Sequence, residues 1–219
     1  LEGSIDSAHS SSLHSTNMPS AEVEGSTATS DAWLRPSKDK SPKLEIEMTD
    51  YGFHYAALRK PIKNDDTNVY VRTTVFIAPF TVLIPPNNQY KLAQILFPID
   101  DYNTMFYWVA WHPDATKGIT QDEWRKFCAA EVGKELDDNY QKKLDISNWY
   151  NQDREAMKKG DFTGIKGIPA QDMAMWESMG RIADRGKEIL GSSDLSIVKF
   201  RNLMIKAAED FNNGSSAIG

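Results

Sequence analysis

The stretch Asn68-Val-Tyr-Val-Arg-Thr-Thr-Val-Phe-Ile77 decides the fold. It is dense in β-branched and aromatic residues, and the Asn64-Asp-Asp-Thr67 cluster before it is a turn, so it reads as a strand. Working outward, Leu44-Glu-Ile-Glu-Met48 alternates apolar and polar residues, and Tyr51 to Leu58 follows a Thr-Asp break. Phe80-Thr-Val-Leu-Ile84 ends at Pro85-Pro86, and the runs Tyr90 to Pro98 and Thr104 to Trp111 complete about six strands. The joints are short and rich in turn residues, leaving no room for a crossover helix. The expected sheet is therefore an antiparallel meander.

The rest of the chain reads as helix and loop. Thr120-Gln-Asp-Glu123 is a capping-box pattern, followed by Trp124, Phe127 and Cys128 at helical spacing. Residues 134–160 are polar and suggest short helices. A helix is expected from Ala170 to Leu190, stopped by Gly191. Pro169 sits at its start and Asp172 in its first turn, where the macrodipole favours a carboxylate. Asp194 is expected to cap a last helix running to about Phe211, with a stripe of Ile197, Phe200, Leu203, Met204 and Ala207. Strands followed by helices make the class α+β, with a long C-terminal helix across a curved antiparallel sheet in helix-grip fashion. A cavity between the two suits a small, mostly apolar ligand.

The opening residues Leu1-Glu-Gly-Ser-Ile-Asp6-Ser-Ala-His9-Ser-Ser-Ser-Leu-His14 carry metal-type groups. Residues 1–16 are expected to form a helix bearing Asp6, His9 and His14. Asp6 and His9 share a helical face, but the step to His14 overshoots a turn by roughly 140°. The imidazoles converge only where the helix is distorted or ends between them, and Ser10-Ser11-Ser12 favours such a break. Residues 17–42, rich in Ser, Thr, Pro and charge, are expected to be a long loop with little buried.

Composition excludes several functions. A net charge of −6 with mixed signs argues against non-specific nucleic-acid binding. No apolar run reaches a membrane span, and no signal peptide is visible. The single cysteine, Cys128, fits a reducing compartment and a cytoplasmic location, and one cysteine cannot hold an iron–sulfur cluster. Neither a phosphate loop nor a dinucleotide fingerprint occurs.

Two distant segments together resemble a known family. Glu2-Gly3-x-x-Asp6-x-x-His9-x-x-x-x-His14, with Ile168-Pro-x-Gln-Asp172-x-Ala-Met-x-Glu-Ser-Met-Gly180, is similar to the catalytic domain of Rieske non-haem iron aromatic-ring-hydroxylating oxygenases. Within that family the second segment, Tyr51 to Arg59 and Gln152-Asp-Arg-Glu155 look most like the phthalate dioxygenase branch. The resemblance implies that His9, His14 and Asp172 bind mononuclear Fe(II). It implies that Asp6 is an electron-transfer bridge to a Rieske [2Fe-2S] cluster on the neighbouring subunit. It further implies O2 as oxidant, NADH electrons through a flavin/iron–sulfur reductase, and a homotrimer or dimer of trimers with head-to-tail electron transfer. The expected reaction is cis-dihydroxylation or O-demethylation of an aromatic carboxylic acid. The Rieske domain is expected N-terminal to residue 1, making residues 1–219 the catalytic part of a longer polypeptide.

An anionic aromatic substrate calls for arginine in an apolar pocket. Arg72, in mid-strand, is the first candidate; Arg35, after Trp33-Leu34, is expected on a lid; Arg59 and His54 follow. Two other readings remain: a non-catalytic carrier of a small apolar ligand, in which the three metal-type residues would not meet, and a zinc hydrolase. The latter lacks a general-base glutamate at the usual spacing beside either histidine.

Overall fold

Strand parity organises the molecule. The computed structural model describes residues 1–17, 32–216 and 218. The strands are β1 (Lys43–Thr49), β2 (Gly52–Arg59), β3 (Tyr70–Ile77), β4 (Thr81–Leu83), β5 (Lys91–Pro98) and β6 (Thr104–Trp111). They form one open six-stranded sheet in the order β1-β2-β3-β4-β5-β6, every pair antiparallel. The register pairs Tyr55 with Thr74, Phe53 with Phe76, Ala57 with Arg72, and Val82 with Gln94. Side chains alternate between faces along each strand. One face of the sheet therefore carries Phe53, Tyr55, Ala57, Arg59, Thr74, Phe76, Val82, Leu92, Gln94 and Leu96, all buried.

Two blocks of structure cover that face. The helices are α1 (Glu2–Ile5), α2 (Gln121–Cys128), α3 (Arg154–Lys158), α4 (Ile168–Ser178) and α5 (Leu195–Asn212). Over β1–β4, Ile197 of α5 joins Ile5, Leu44, Phe53, Tyr55, Phe76 and Val82 in one core, with Phe200, Leu203 and Met204 packed against it. Four of the five residues expected in the helix stripe thus pack on the sheet. The Phe53–Phe76 and Phe76–Phe200 rings sit 5.2 and 5.1 Å apart, contacts each worth about 0.5–1.5 kcal/mol beyond area burial. Over β5 and β6, Leu92, Trp33 and Ile168 form a second core with Trp108, Trp124 and Phe127. The capping box is present: Thr120 Oγ1 accepts from the Glu123 amide, and the Glu123 carboxylate accepts from the Thr120 amide.

Three expectations about elements need correction. First, no continuous helix covers residues 1–16. α1 stops at Ile5, Asp6 is extended (φ −82°, ψ 108°), and His9–Ser11 is a single 3₁₀ turn. Serines here favour turns over helix. Second, α4 starts at Ile168 and ends at Ser178, well short of Leu190. Gly180, at φ +88°, takes the left-handed conformation that ends helices. Asp172 therefore lies beyond the first turn, and the macrodipole gives no account of it. Third, the part of the 17–42 loop that is described is not solvated throughout, although Pro36, Lys38, Lys40 and Ser41 are exposed. Ala32, Trp33, Arg35 and Ser37 are all buried, and Trp33 stacks on Phe127 with ring centroids 5.2 Å apart. Residues 18–31 of that loop lie outside the described residues.

The start of α4 depends on one glycine. Gly167 is the N-cap at φ +82°, and a Cβ there would meet the Cys128 carbonyl oxygen and the Ala129 Cβ at 2.6 Å each. The N-terminus of α4 therefore rests on the C-terminus of α2. Gly167→Ala is expected to destabilise the fold by about 2–5 kcal/mol, from strained φ plus overlap. Gly160→Ala is the control, because Gly160 is also at positive φ (+106°) but a Cβ there meets nothing within 4 Å. Denaturant midpoints of the two variants check this; equal losses in both would reject the overlap.

Candidate metal centre and adjoining cleft

The broken N-terminal segment is tied down on both sides of its metal-type residues. Ile5, fully buried, offers its carbonyl to Tyr55 Oη at 2.8 Å and Ser196 Oγ at 3.0 Å. Burial pushes the Tyr55 pKa up to about 12, which keeps the hydroxyl a neutral donor. Arg201 of α5 grips the Glu2 carboxylate with two bonds, of 2.7 and 2.9 Å, and Glu188 with a third. Past Asp6 the chain makes successive tight turns, with the Leu13 amide on the His9 carbonyl at 2.8 Å and the Asn17 amide on the His14 carbonyl at 3.0 Å. Those turns bring the two imidazoles together, their centroids 5.0 Å apart and their planes at 79°.

Asp172 of α4 meets them. One ligand atom each from His9, His14 and Asp172 lies within 4.8 Å of the others. Asp172 Oδ1 is 2.9 Å from His14 Nε2 and 3.6 Å from His9 Nε2. His14 and Asp172 are buried, while His9 is partly open.

The hydrogen bonds fix which nitrogens face the cluster. His9 Nδ1 lies 2.7 Å from the Asp6 backbone carbonyl, which can only accept, so Nδ1 carries a proton and, in the neutral ring, Nε2 the lone pair. His14 Nδ1 lies 2.7 Å from Gln171 Oε1. The Gln171 amide cannot be turned round, because its Nε2 donates to the Ile165 carbonyl at 2.8 Å and to Asn17 Oδ1 at 3.0 Å. His14 Nδ1 is therefore also a donor. His14 Nε2, although close to Asp172, is a buried atom without a hydrogen-bond partner. A bare lone pair facing a carboxylate oxygen is unfavourable unless a cation lies between them. The donor set fits a divalent metal that accepts two imidazoles and one carboxylate. The Asp6 carboxylate stands apart: its Oδ1 accepts from the Ala8 and His9 amides, and its Oδ2 is 3.7 Å from His9 Nδ1.

A cleft of about 630 Å³, partly open to solvent, runs from this cluster across the covered face of the sheet. Asp6, His9, His14 and Asp172 line one end, and Tyr55, Arg59, Arg72, Thr74 and Gln94 line the sheet side. Trp33, Ile84, Pro85, Trp108 and Ile168 supply apolar wall. Arg72 reaches it from β3, its guanidinium on Tyr70 Oη at 3.3 Å and on the Pro85 and Pro86 carbonyls at 3.2 and 3.3 Å. Arg59 lines the same space and bonds the Ser7 hydroxyl and the Asp39 carbonyl. Burial, then the neighbouring Arg72 charge, holds its pKa below the ordinary arginine value.

Two expectations about the arginines and His54 change. Arg35 is not on a lid but buried, with Nη1 on Ser11 Oγ at 3.1 Å. Burial first, then the Arg72 and Arg59 charges, push its pKa down to about 10, still cationic at neutral pH. His54 is not in the cleft. It alternates with Phe53 and Tyr55, so it lies on the other face of the sheet and pairs with Glu47 at 3.0 Å. Sequence reasoning missed Tyr55, Thr74, Gln94 and Gln171. The signal was present for three of them: Tyr55, Thr74 and Gln94 sit at the strand parity otherwise occupied by core residues.

An open antiparallel α+β domain with two histidines and a carboxylate converging beside a cleft is the class this geometry defines. The chain belongs to the LigXa C-terminal domain-like family, whose model matches residues 1–219. It is 57% identical over 220 residues to the phthalate 4,5-dioxygenase oxygenase subunit of Pseudomonas putida, covering 100% of this chain and 50% of that protein. It is 34% identical over 223 residues to the 3-chlorobenzoate-3,4-dioxygenase oxygenase subunit of Comamonas testosteroni, covering 94% of this chain and 49% of that protein. The chain thus spans about half the length of the curated relatives it matches. The likeness to the phthalate dioxygenase branch is borne out. Among the described residues, no helix is long and apolar enough to cross a membrane.

Proposed function

We propose that residues 1–219 are the catalytic domain of an Fe(II)- and O2-dependent oxygenase acting on an aromatic carboxylic acid. His9, His14 and Asp172 are the iron ligands in this reading. The observation that carries it is the convergence of two imidazoles and a carboxylate, one ligand atom of each within 4.8 Å of the others, with His14 Nε2 buried without a hydrogen-bond partner. Two neutral imidazoles and one carboxylate would leave bound Fe(II) with a net charge of about +1 and room for further ligands. Iron, when bound, supplies the activation of O2. The chain's own residues orient and enclose. Arg72 holds the substrate carboxylate, with Arg35 and Arg59 adding positive potential. Trp33, Ile84, Trp108 and Ile168 hold the ring and limit water. Both relatives are named dioxygenases of aromatic acids, which favours cis-dihydroxylation over O-demethylation.

The remainder of the reading follows the family. The Rieske domain belongs to a part of the polypeptide N-terminal to residue 1, and Asp6 bridges His9 to that cluster on a neighbouring subunit. Electrons come from NADH through a flavin/iron–sulfur reductase, within a cytoplasmic homotrimer. The helix-grip description is supported by α5 lying on the sheet core. Anaerobic reconstitution of the full protein with Fe(II) tests the central point. About one mononuclear iron per chain is expected; none would favour a ligand carrier instead.

A further inference from the structure

Gln171, the residue before Asp172, is itself 2% exposed and lies wholly within the protein interior. It is a neutral amide whose three hydrogen bonds all lead to fixed partners: His14 Nδ1, the Ile165 carbonyl and Asn17 Oδ1. Its orientation matters because His14 has an alternative. With the proton on Nε2 instead of Nδ1, His14 would bring an N–H rather than a lone pair to the side where Asp172 Oδ1 lies 2.9 Å away. The lone pair needed for coordination would then be gone. The alternative tautomer is blocked as long as Gln171 presents an oxygen to Nδ1. Two lone pairs would then face each other at 2.7 Å in a buried site.

We propose that Gln171 is a positioning residue that holds the neutral His14 ring in the Nδ1–H tautomer and so keeps its Nε2 lone pair available to a metal. The inference rests on the reading of His9, His14 and Asp172 as metal ligands. Its logic is that of outer partners of metal-bound histidines, which set tautomer and ring direction. Here the acceptor is an amide, so the imidazole is oriented without the added negative charge of a carboxylate. The amide is itself held by Ile165 before α4 and by Asn17 after the histidine turns. One side chain therefore keeps the two halves of the ligand set in register.

The test uses the full protein stripped of mononuclear metal, with Co(II) as probe followed by its visible absorption. The Gln171→Met variant keeps the bulk and loses the acceptor. Its Co(II) dissociation constant is expected to rise about 10–100-fold. In the metal-free protein, ¹⁵N-resolved histidine spectra are expected to show His14 changing from the Nδ1–H to the Nε2–H form. Gln171→Glu restores an acceptor toward His14, though not the donor to the Ile165 carbonyl, and should keep the Nδ1–H form and bind more tightly than Gln171→Met. Asn17→Ala, which leaves Gln171 in place, covers the case of a misfolded Gln171→Met and should weaken binding in the same direction by less. Unchanged affinity and tautomer in Gln171→Met, or in Asn17→Ala if the first variant does not fold, would overturn the role. If the parent binds no metal, the ligand reading fails instead, and the histidine spectra still report whether Gln171 sets the tautomer.

Discussion

Asp172→Ala is expected to leave a folded protein that retains no mononuclear iron and does not turn over. The carboxylate is the only anionic member of the converging set. Without it two neutral imidazoles remain, and a hard divalent ion keeps its water in preference to them. Apparent metal affinity should fall by more than the roughly 10–100-fold typical of an outer partner. Folding should be little affected. Among the described residues, the Asp172 carboxylate has ion-pair approaches to His9 Nε2 and His14 Nε2, and the His14 approach is not a hydrogen bond. Removing a buried carboxylate that the surrounding fold does not satisfy costs little, or even relieves a penalty. His9→Ala should match Asp172→Ala in iron loss. Iron content by metal analysis, beside the unfolding midpoint of the metal-free protein, checks both halves. Normal iron and turnover in either variant would remove these residues from the ligand set.

The sheet was legible because its information is local. Turn residues such as Asn64-Asp-Asp-Thr67 and Pro85-Pro86 mark the strand ends, and β1 to β6 lie within one or two residues of the expected runs. The stripe Ile197, Phe200, Leu203 and Met204 was equally local, since period 3.6 fixes the face of α5. What failed depended on partners. Trp33 and Arg35 sit in a segment whose composition is that of a loop, and they are buried only because Phe127 and Ser11 come to them from elsewhere. α4 ended early because Gly180 takes a left-handed conformation that a mid-helix glycine need not take.

The cleft shows the same division. His54 and Arg72 are both polar residues inside strands, and only parity relative to the core separates them. Phe53 and Tyr55 mark the buried face of β2, so strand alternation by itself puts His54 on the opposite face. The register Ala57↔Arg72 and Tyr55↔Thr74 carries the buried face across to β3 and puts Arg72 on it. The meeting of His9 and His14 with Asp172 needed more than parity. It required a helix that breaks after Ile5 and a helix start pinned at Gly167, and neither is visible as periodicity.

Arg72→Gln is expected to weaken binding of the aromatic acid about 10–150-fold while iron content stays unchanged. The range corresponds to the loss of one charge-assisted hydrogen bond, worth about 1.5–3 kcal/mol. The position supports so large an effect. Among the described residues no carboxylate pairs with Arg72; its partners are a phenol oxygen and two backbone carbonyls. Its charge lies beside those of Arg35 and Arg59, and that mutual repulsion contributes to the lowered pKa of both. An anion entering the cleft would relieve this repulsion as well as gain a bond, so the arginines are expected to favour acids over neutral rings. The glutamine keeps a polar group on the same parity of β3 and removes only the charge and the fork. Arg72→Lys should recover part of the affinity, since an ammonium restores the charge without bidentate geometry. The discriminating measurement is substrate affinity for the acid against that for its neutral amide. In the parent the acid should bind far more tightly, and in Arg72→Gln the two should approach each other. A variant that loses iron, or one that keeps the full preference for the acid, would place the carboxylate elsewhere in the cleft.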